Sequence, residues 1–131
     1  MVHSDPTGAD SRPRILLAED SQTSKAMLSK NLSESYQLIE AKDGEEAWQI
    51  LAADEHIDVV ITDVNMPRMT GQQLLVKIRK SPIARIASIP VIVMTAANDS
   101  VDKNLAFLNG ANDFLTQPVD VMELQALARQ M

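Results

Sequence analysis

Five short apolar runs alternate with amphipathic stretches of helical length, and this alternation restricts the fold more than any other feature of the chain. The strand-like runs are Arg14–Ala18, Tyr36–Glu40, Ile57–Thr62, Pro90–Thr95 and Asp113–Leu115. Between them Ser21–Ser33, Gly44–Asp54, Gly71–Arg79 and Asp99–Asn109 read as helices, and Val119–Met131 as a closing one. Helical spacing shows in Ala47, Ile50 and Leu51, in Leu74, Leu75 and Ile78, and in Val101, Leu105 and Leu108. Asp43-Gly44 turns the chain into the second helix, and Gly110 suits a left-handed cap after the fourth. Strands joined by helical crossovers run parallel, so the expected fold is α/β: a doubly wound, five-stranded parallel sheet with helices on both faces. The run Ile57–Ile61, apolar at four of five positions, suits a strand covered on both sides.

At 131 residues the chain has material for one domain. The opening stretch, residues 1–13, is polar, contains Pro and Gly and lacks periodicity, so it reads as a disordered lead-in to a domain spanning 14–131. No apolar run approaches the roughly 20 residues of a membrane span, and no secretory signal pattern is visible, which sets the expectation of a cytoplasmic protein. There is no cysteine, which excludes disulfides and thiol catalysis. A net charge of −6 argues against a nucleic-acid-binding face. His3 and His56 stand alone, a poor basis for a zinc site.

Chemistry gathers at the strand ends. Glu19 and Asp20 follow the first strand, Asp63 ends the third just before the turn Asn65-Met66-Pro67, Thr95 ends the fourth, and Gln117-Pro118 follows the fifth. In open parallel sheets the ligand crevice lies outside the carboxyl ends of the strands. Three acids converging there repel one another unless a cation joins them. Magnesium suits the set, since it binds through a few carboxylates and keeps waters that phosphate oxygens displace. An aspartate shielded in this way is a nucleophile for phosphorus. Taken singly these residues have duller uses: Glu19-Asp20-Ser21 as a helix cap, Thr95 as a strand former, Phe114 and Trp48 as packing.

Five segments together resemble the response-regulator receiver domain of two-component signalling, from about Arg14 to Met131. They are Ile15-Leu16-Leu17-Ala18-Glu19-Asp20, Asp43-Gly44-Glu45-Glu46-Ala47, Thr62-Asp63-Val64-Asn65-Met66-Pro67-Arg68-Met69-Thr70-Gly71, Pro90-Val91-Ile92-Val93-Met94-Thr95-Ala96 and Gly110-Ala111-Asn112-Asp113-Phe114-Leu115. The resemblance implies a flavodoxin-like, CheY-like sheet of strand order 2-1-3-4-5. It implies Asp63 as phosphoacceptor, Asp20 and Asp63 as direct magnesium ligands, Glu19 acting largely through water, and Asn65 giving its backbone carbonyl. Thr95 would bond the phosphoryl group and Phe114 would be the switch aromatic. The phosphodonor would be a sensor histidine kinase or a histidine phosphotransfer protein. The output would be a changed surface on the fourth helix, fifth strand and fifth helix for a partner or output domain.

One position departs from the family pattern. Where the family has lysine before the proline that follows strand five, this chain has Gln117. A neutral hydrogen bond contributes less than a charged one, so the phosphorylated state is expected to lose about 1–2 kcal/mol. The Gln117–Pro118 peptide is expected to be cis, as the corresponding lysine–proline bond commonly is in the family. A rival reading is a pseudo-receiver, an adaptor that signals without phosphate, and Gln117 is its support. A second rival, a phosphohydrolase of the haloacid dehalogenase type, needs an acid two residues after the nucleophile, where this chain has Asn65.

Overall fold

The structure, a computed structural model, describes residues 12–96, 100–117 and 119–130, the side chain of Ala128 excepted. The sheet strands are β1 (Arg14–Ala18), β2 (Gln37–Ala41), β3 (Val59–Asp63), β4 (Val91–Ala96) and β5 (Asp113–Gln117). The helices are α1 (Gln22–Leu32), α2 (Gly44–Ala53), α3 (Gly71–Arg79), α4 (Ala84–Ala87), α5 (Ser100–Leu108) and α6 (Val121–Gln130). All strand pairs are parallel and the order is β2-β1-β3-β4-β5, as the resemblance implied.

Period-two alternation divides the core between the two faces of the sheet. Leu16, Ala18, Val60, Val91 and Val93 pack with Leu51, Leu74, Leu75 and Ile78 of α2 and α3. Ile15, Leu17, Val59, Ile61, Ile92 and Met94 pack with Leu28, Leu32 and Leu124 of α1 and α6. All five residues of β3 are buried, which fits its place at the centre of the sheet.

Element ends differ from expectation in instructive places. Strand β2 starts one residue later, because Tyr36 is still bonded through its N–H to the Leu32 carbonyl at the end of α1. Strand β5 runs two residues further, since pairing with β4 continues through Thr95↔Thr116 and Ala96↔Gln117. Gln117 is thus a strand residue and not a loop residue. Helix α4 was not foreseen. It is a single turn after Ser81-Pro82 that buries Ile86, too short to show periodicity.

Asp43 caps α2 by accepting from the Glu46 N–H. Gly110, at φ 100°, ends α5 with bonds from Gly110 N–H to the Phe107 carbonyl and from Ala111 N–H to the Ala106 carbonyl. Of the lead-in, residues 1–11 lie outside the described residues; the Arg12 and Pro13 carbonyls accept from Gln37. Asp99, Met131 and Pro118 also lie outside them, and with Pro118 the expected cis peptide. No helix among the described residues is long and apolar enough to cross a membrane.

Candidate functional site

Register brings the acids together. Ala18 of β1 is level with Thr62 of β3, so the residues that follow, Glu19 and Asp63, emerge side by side at the carboxyl edge. The Glu19 N–H bonds to the Ala41 carbonyl of β2, which holds the chain in line as it leaves the sheet. Asp20 comes next and faces solvent. One carboxylate oxygen each from Glu19, Asp20 and Asp63 lies within 4.8 Å of the others. Gly71 keeps the far wall close. A Cβ there would sit 2.1 Å from the Asp63 carbonyl oxygen, so only glycine lets α3 begin so near the strand end.

Two of the acids are buried, Glu19 at 1% exposure and Asp63 at 8%. Burial raises the Glu19 carboxyl to about 7; the Ser21 N–H, which donates to Oε2, opposes this, and the neighbouring Asp63 adds to it. Burial also raises Asp63, against the pull of the Asn65 N–H that donates to Oδ1 at 3.3 Å. Glu19 Oε1 and Thr95 Oγ1 are buried with no hydrogen-bond partner, two of only three such side-chain atoms among the described residues. A buried, unpaired carboxylate oxygen is costly unless a cation or proton completes it. An all-oxygen donor set of this charge fits a hard divalent ion.

Of the remaining predicted residues, Thr95 and Gln117 lie near the same edge, whereas Phe114 sits further back on β5, level with Val93. Thr95 is fully buried and pairs with Thr116, one step before the last β4–β5 pair, Ala96↔Gln117. Phe114 is half-buried on β5, edge-on to Phe107 with centroids 5.3 Å apart and planes at 83°. The ammonium of Lys103 lies 5.0 Å from its ring centroid. Gln117 borders a cleft of ≈ 190 Å³ that Glu19, Thr23, Ser24, Met94 and Val119 also line. Asn65 is exposed, with its backbone turned to Asp63 through the bond already described. Sequence reasoning missed the contact of Lys103 with Phe114 and the pairing of Arg68 with Asp43. Both are cross-element contacts between residues whose types are unremarkable where they stand.

This fold with this acid cluster at the carboxyl edge of its sheet defines a class. The response regulator receiver domain family matches residues 15–129. The two-component response regulator ORR5 of Oryza sativa subsp. japonica is 34% identical over 120 residues, covering 91% of this chain and 88% of the rice protein. ORR3 of Oryza sativa subsp. indica is 30% identical, covering 95% of each. A response regulator receiver protein from Pseudomonas putida superposes with a TM-score of 0.82 at 27% identity, covering 94% of this chain and all of that one. The chemotaxis protein CheY4 of Vibrio cholerae gives 0.82 at 26% identity, covering 92% and 98%. The chain belongs to the response regulator receiver domain family.

Proposed function

We propose that this chain, as one receiver unit over residues 14–131 behind a short lead-in, is a cytoplasmic switch that accepts a phosphoryl group on Asp63. The donor is the phosphohistidine of a sensor histidine kinase or a phosphotransfer protein. An Asp63 carboxylate oxygen bonds to phosphorus as the phosphorus–nitrogen bond breaks; the electron pair stays on the histidine nitrogen, and the product is an aspartyl phosphate. The observation that carries this reading is the convergence of Glu19, Asp20 and Asp63 beside two buried oxygens that lack partners.

Glu19, Asp20, Asp63 and the Asn65 carbonyl would hold magnesium, which supplies positive charge to the phosphoryl oxygens. The Asn65 N–H orients the Asp63 carboxylate. The Thr95 hydroxyl, buried without a partner, would donate to an added phosphoryl oxygen, and Gln117 would offer an amide N–H. The phosphate adds about −1.5 to −2 charges, enough to draw Thr95 and then Phe114 inward. The surface of α5, β5 and α6 changes with them, and that change is the output. Catalysis is confined to the chain's own aspartate.

The second reading, a phosphate-independent adaptor, draws on Gln117, which gives the phosphoryl site no ammonium. One experiment separates the two. Incubation with magnesium and a small phosphodonor, followed by intact-mass measurement, should add one phosphoryl group to the wild type and none to Asp63→Asn. A wild type that stays unmodified would favour the adaptor.

A further inference from the structure

The loop that leaves Asp63 is gripped from outside the sheet by the start of α2. Arg68 sits in this loop at φ 66°, the left-handed region that residues other than Gly, Asn and Asp seldom adopt. Its Nε donates to Asp43 Oδ2 at 2.8 Å. The two ends of this pair are unlike. The Asp43 side chain is 2% exposed and the Arg68 side chain 58%. The other oxygen of Asp43 is committed to capping α2 by accepting from the Glu46 N–H at 2.8 Å.

The next loop residue is held too. The Met69 carbonyl accepts from the Gly44 N–H at 3.2 Å, and a Cβ on Gly44 would lie 2.4 Å from that oxygen. Two successive residues, 68 and 69, are therefore docked on the Asp43-Gly44 corner. The near half of the same loop supplies the Asn65 N–H to Asp63 and the Val64 carbonyl to Gly71 N–H. A left-handed arginine persists only where its surroundings over-determine it. Here the nearly fully buried carboxylate of Asp43 is the group that meets its guanidinium.

We propose that Asp43, acting through Arg68, is a positioning residue for the loop that orients Asp63 and Asn65. Loss of the pair then weakens cation binding and phosphoryl uptake, although neither residue belongs to the cluster of Glu19, Asp20 and Asp63. The inference rests on the assignment of Asp63 made above.

Two single variants and their combination test it. Asp43→Asn keeps an oxygen for the α2 cap and loses the charge. Arg68→Asn keeps a residue suited to positive φ and loses the guanidinium. Glu46→Ala is the control, because it removes the bond from Lys42 N–H to Glu46 Oε1 and leaves the pair intact. Calorimetric titration with magnesium, well below each melting temperature, should show Kd raised about two- to fivefold in each single variant, the range an ion pair with one solvent-facing partner supports. The double variant should be no worse than either single. Glu46→Ala should lower Tm and leave Kd unchanged. Equal Kd in wild type and both singles, additive effects in the double, or the same rise in Glu46→Ala would overturn the proposal.

Amide hydrogen exchange across residues 65–69 needs no ligand and should quicken in both single variants. Unchanged protection there would overturn the latch by itself. A wild type that binds no magnesium would instead count against the assignment of Asp63, and exchange would still decide the latch.

Discussion

The two ends of the sheet treat buried polar groups in opposite ways. At the amino end, arginines bond to backbone carbonyls and to neighbouring side chains. Arg79 donates from Nε to the Gly110 carbonyl, from Nη1 to the Ala87 and Ile89 carbonyls, and from Nη2 to Asn112 Oδ1, which also accepts from Val91 N–H. Arg85 reaches the carbonyls of Leu51 and Ala52 at the end of α2. Arg14 pairs with Asp54 and Gln37, leaving only its Nε without a partner. At the carboxyl end, Glu19 Oε1 and Thr95 Oγ1 are buried and unmatched, and acids crowd together. The contrast teaches where this fold keeps stability and where it keeps readiness. One rim closes helix ends and loops; the other holds unsatisfied groups that a cation and a phosphoryl oxygen would complete.

Breaking the amino rim should have the largest effect. Arg79→Ala strands three carbonyls and leaves the Asn112 oxygen with the Val91 N–H alone, so urea denaturation should show a loss of about 2–4 kcal/mol. Magnesium affinity of the folded fraction should stay at the wild-type value. A matching loss of affinity would mean that the two rims are not separable.

The carboxyl rim should respond with the opposite sign. With divalent ions chelated, Glu19→Gln should raise stability by about 1–2 kcal/mol at pH 8, because it removes a buried, poorly matched charge. The pH dependence follows from linkage. Glu19 titrates near 7 in the folded protein against an ordinary value of 4.5, so the folded state binds the proton more tightly. Its stabilising contribution is complete below pH 4.5 and is lost as pH rises to about 7 and beyond. Added magnesium should restore stability above pH 7 in the wild type and much less in Glu19→Gln. Asp54 at the amino rim behaves conversely. Burial raises its carboxyl, but the His56 N–H and Arg14 overcome this and leave it below its ordinary value of 3.8. Its contribution is present above pH 3.8 and lost in stronger acid. Thermal melts across pH, with chelator and with magnesium, test both windows.

The smallest expected effect lies at Phe114, between the two rims. Lys103→Met removes the cation above the ring and keeps the length of the side chain, at a cost of about 0.5–1 kcal/mol in how firmly the ring is held. Aromatic proton shifts of Phe114 should move toward an averaged value, while the melting temperature changes little. Unmoved shifts would show that Phe107 alone holds the ring.

The sheet, its order of elements and the acid cluster were readable in advance, for different reasons. Apolar runs such as Ile57–Ile61 report burial directly. Strand-end acids are conspicuous because little else explains a carboxylate at the end of a core strand, and Glu19 and Asp63 did meet. The single-turn α4 was invisible because four residues carry no period. The extension of β5 to Gln117 depends on pairing with Ala96 of β4, a neighbour 21 positions away. Asp43 was legible as part of the turn into the second helix, but its ion pair with Arg68 was not, because either residue alone suits an exposed loop.

What the sequence by itself determined is therefore local and periodic: which segments bury one face or two, where helices start and stop, and which acids stand at strand ends. Tertiary structure alone decided the pairings. Parallel register set Glu19 level with Asp63, burial lifted its proton affinity, and the approach of α2 to the loop after Asp63 matched Asp43 with a left-handed Arg68. The physical reason is that hydrophobic periodicity is written along the chain, whereas electrostatics and hydrogen bonding depend on distances between segments that only the packed sheet brings within a few ångströms.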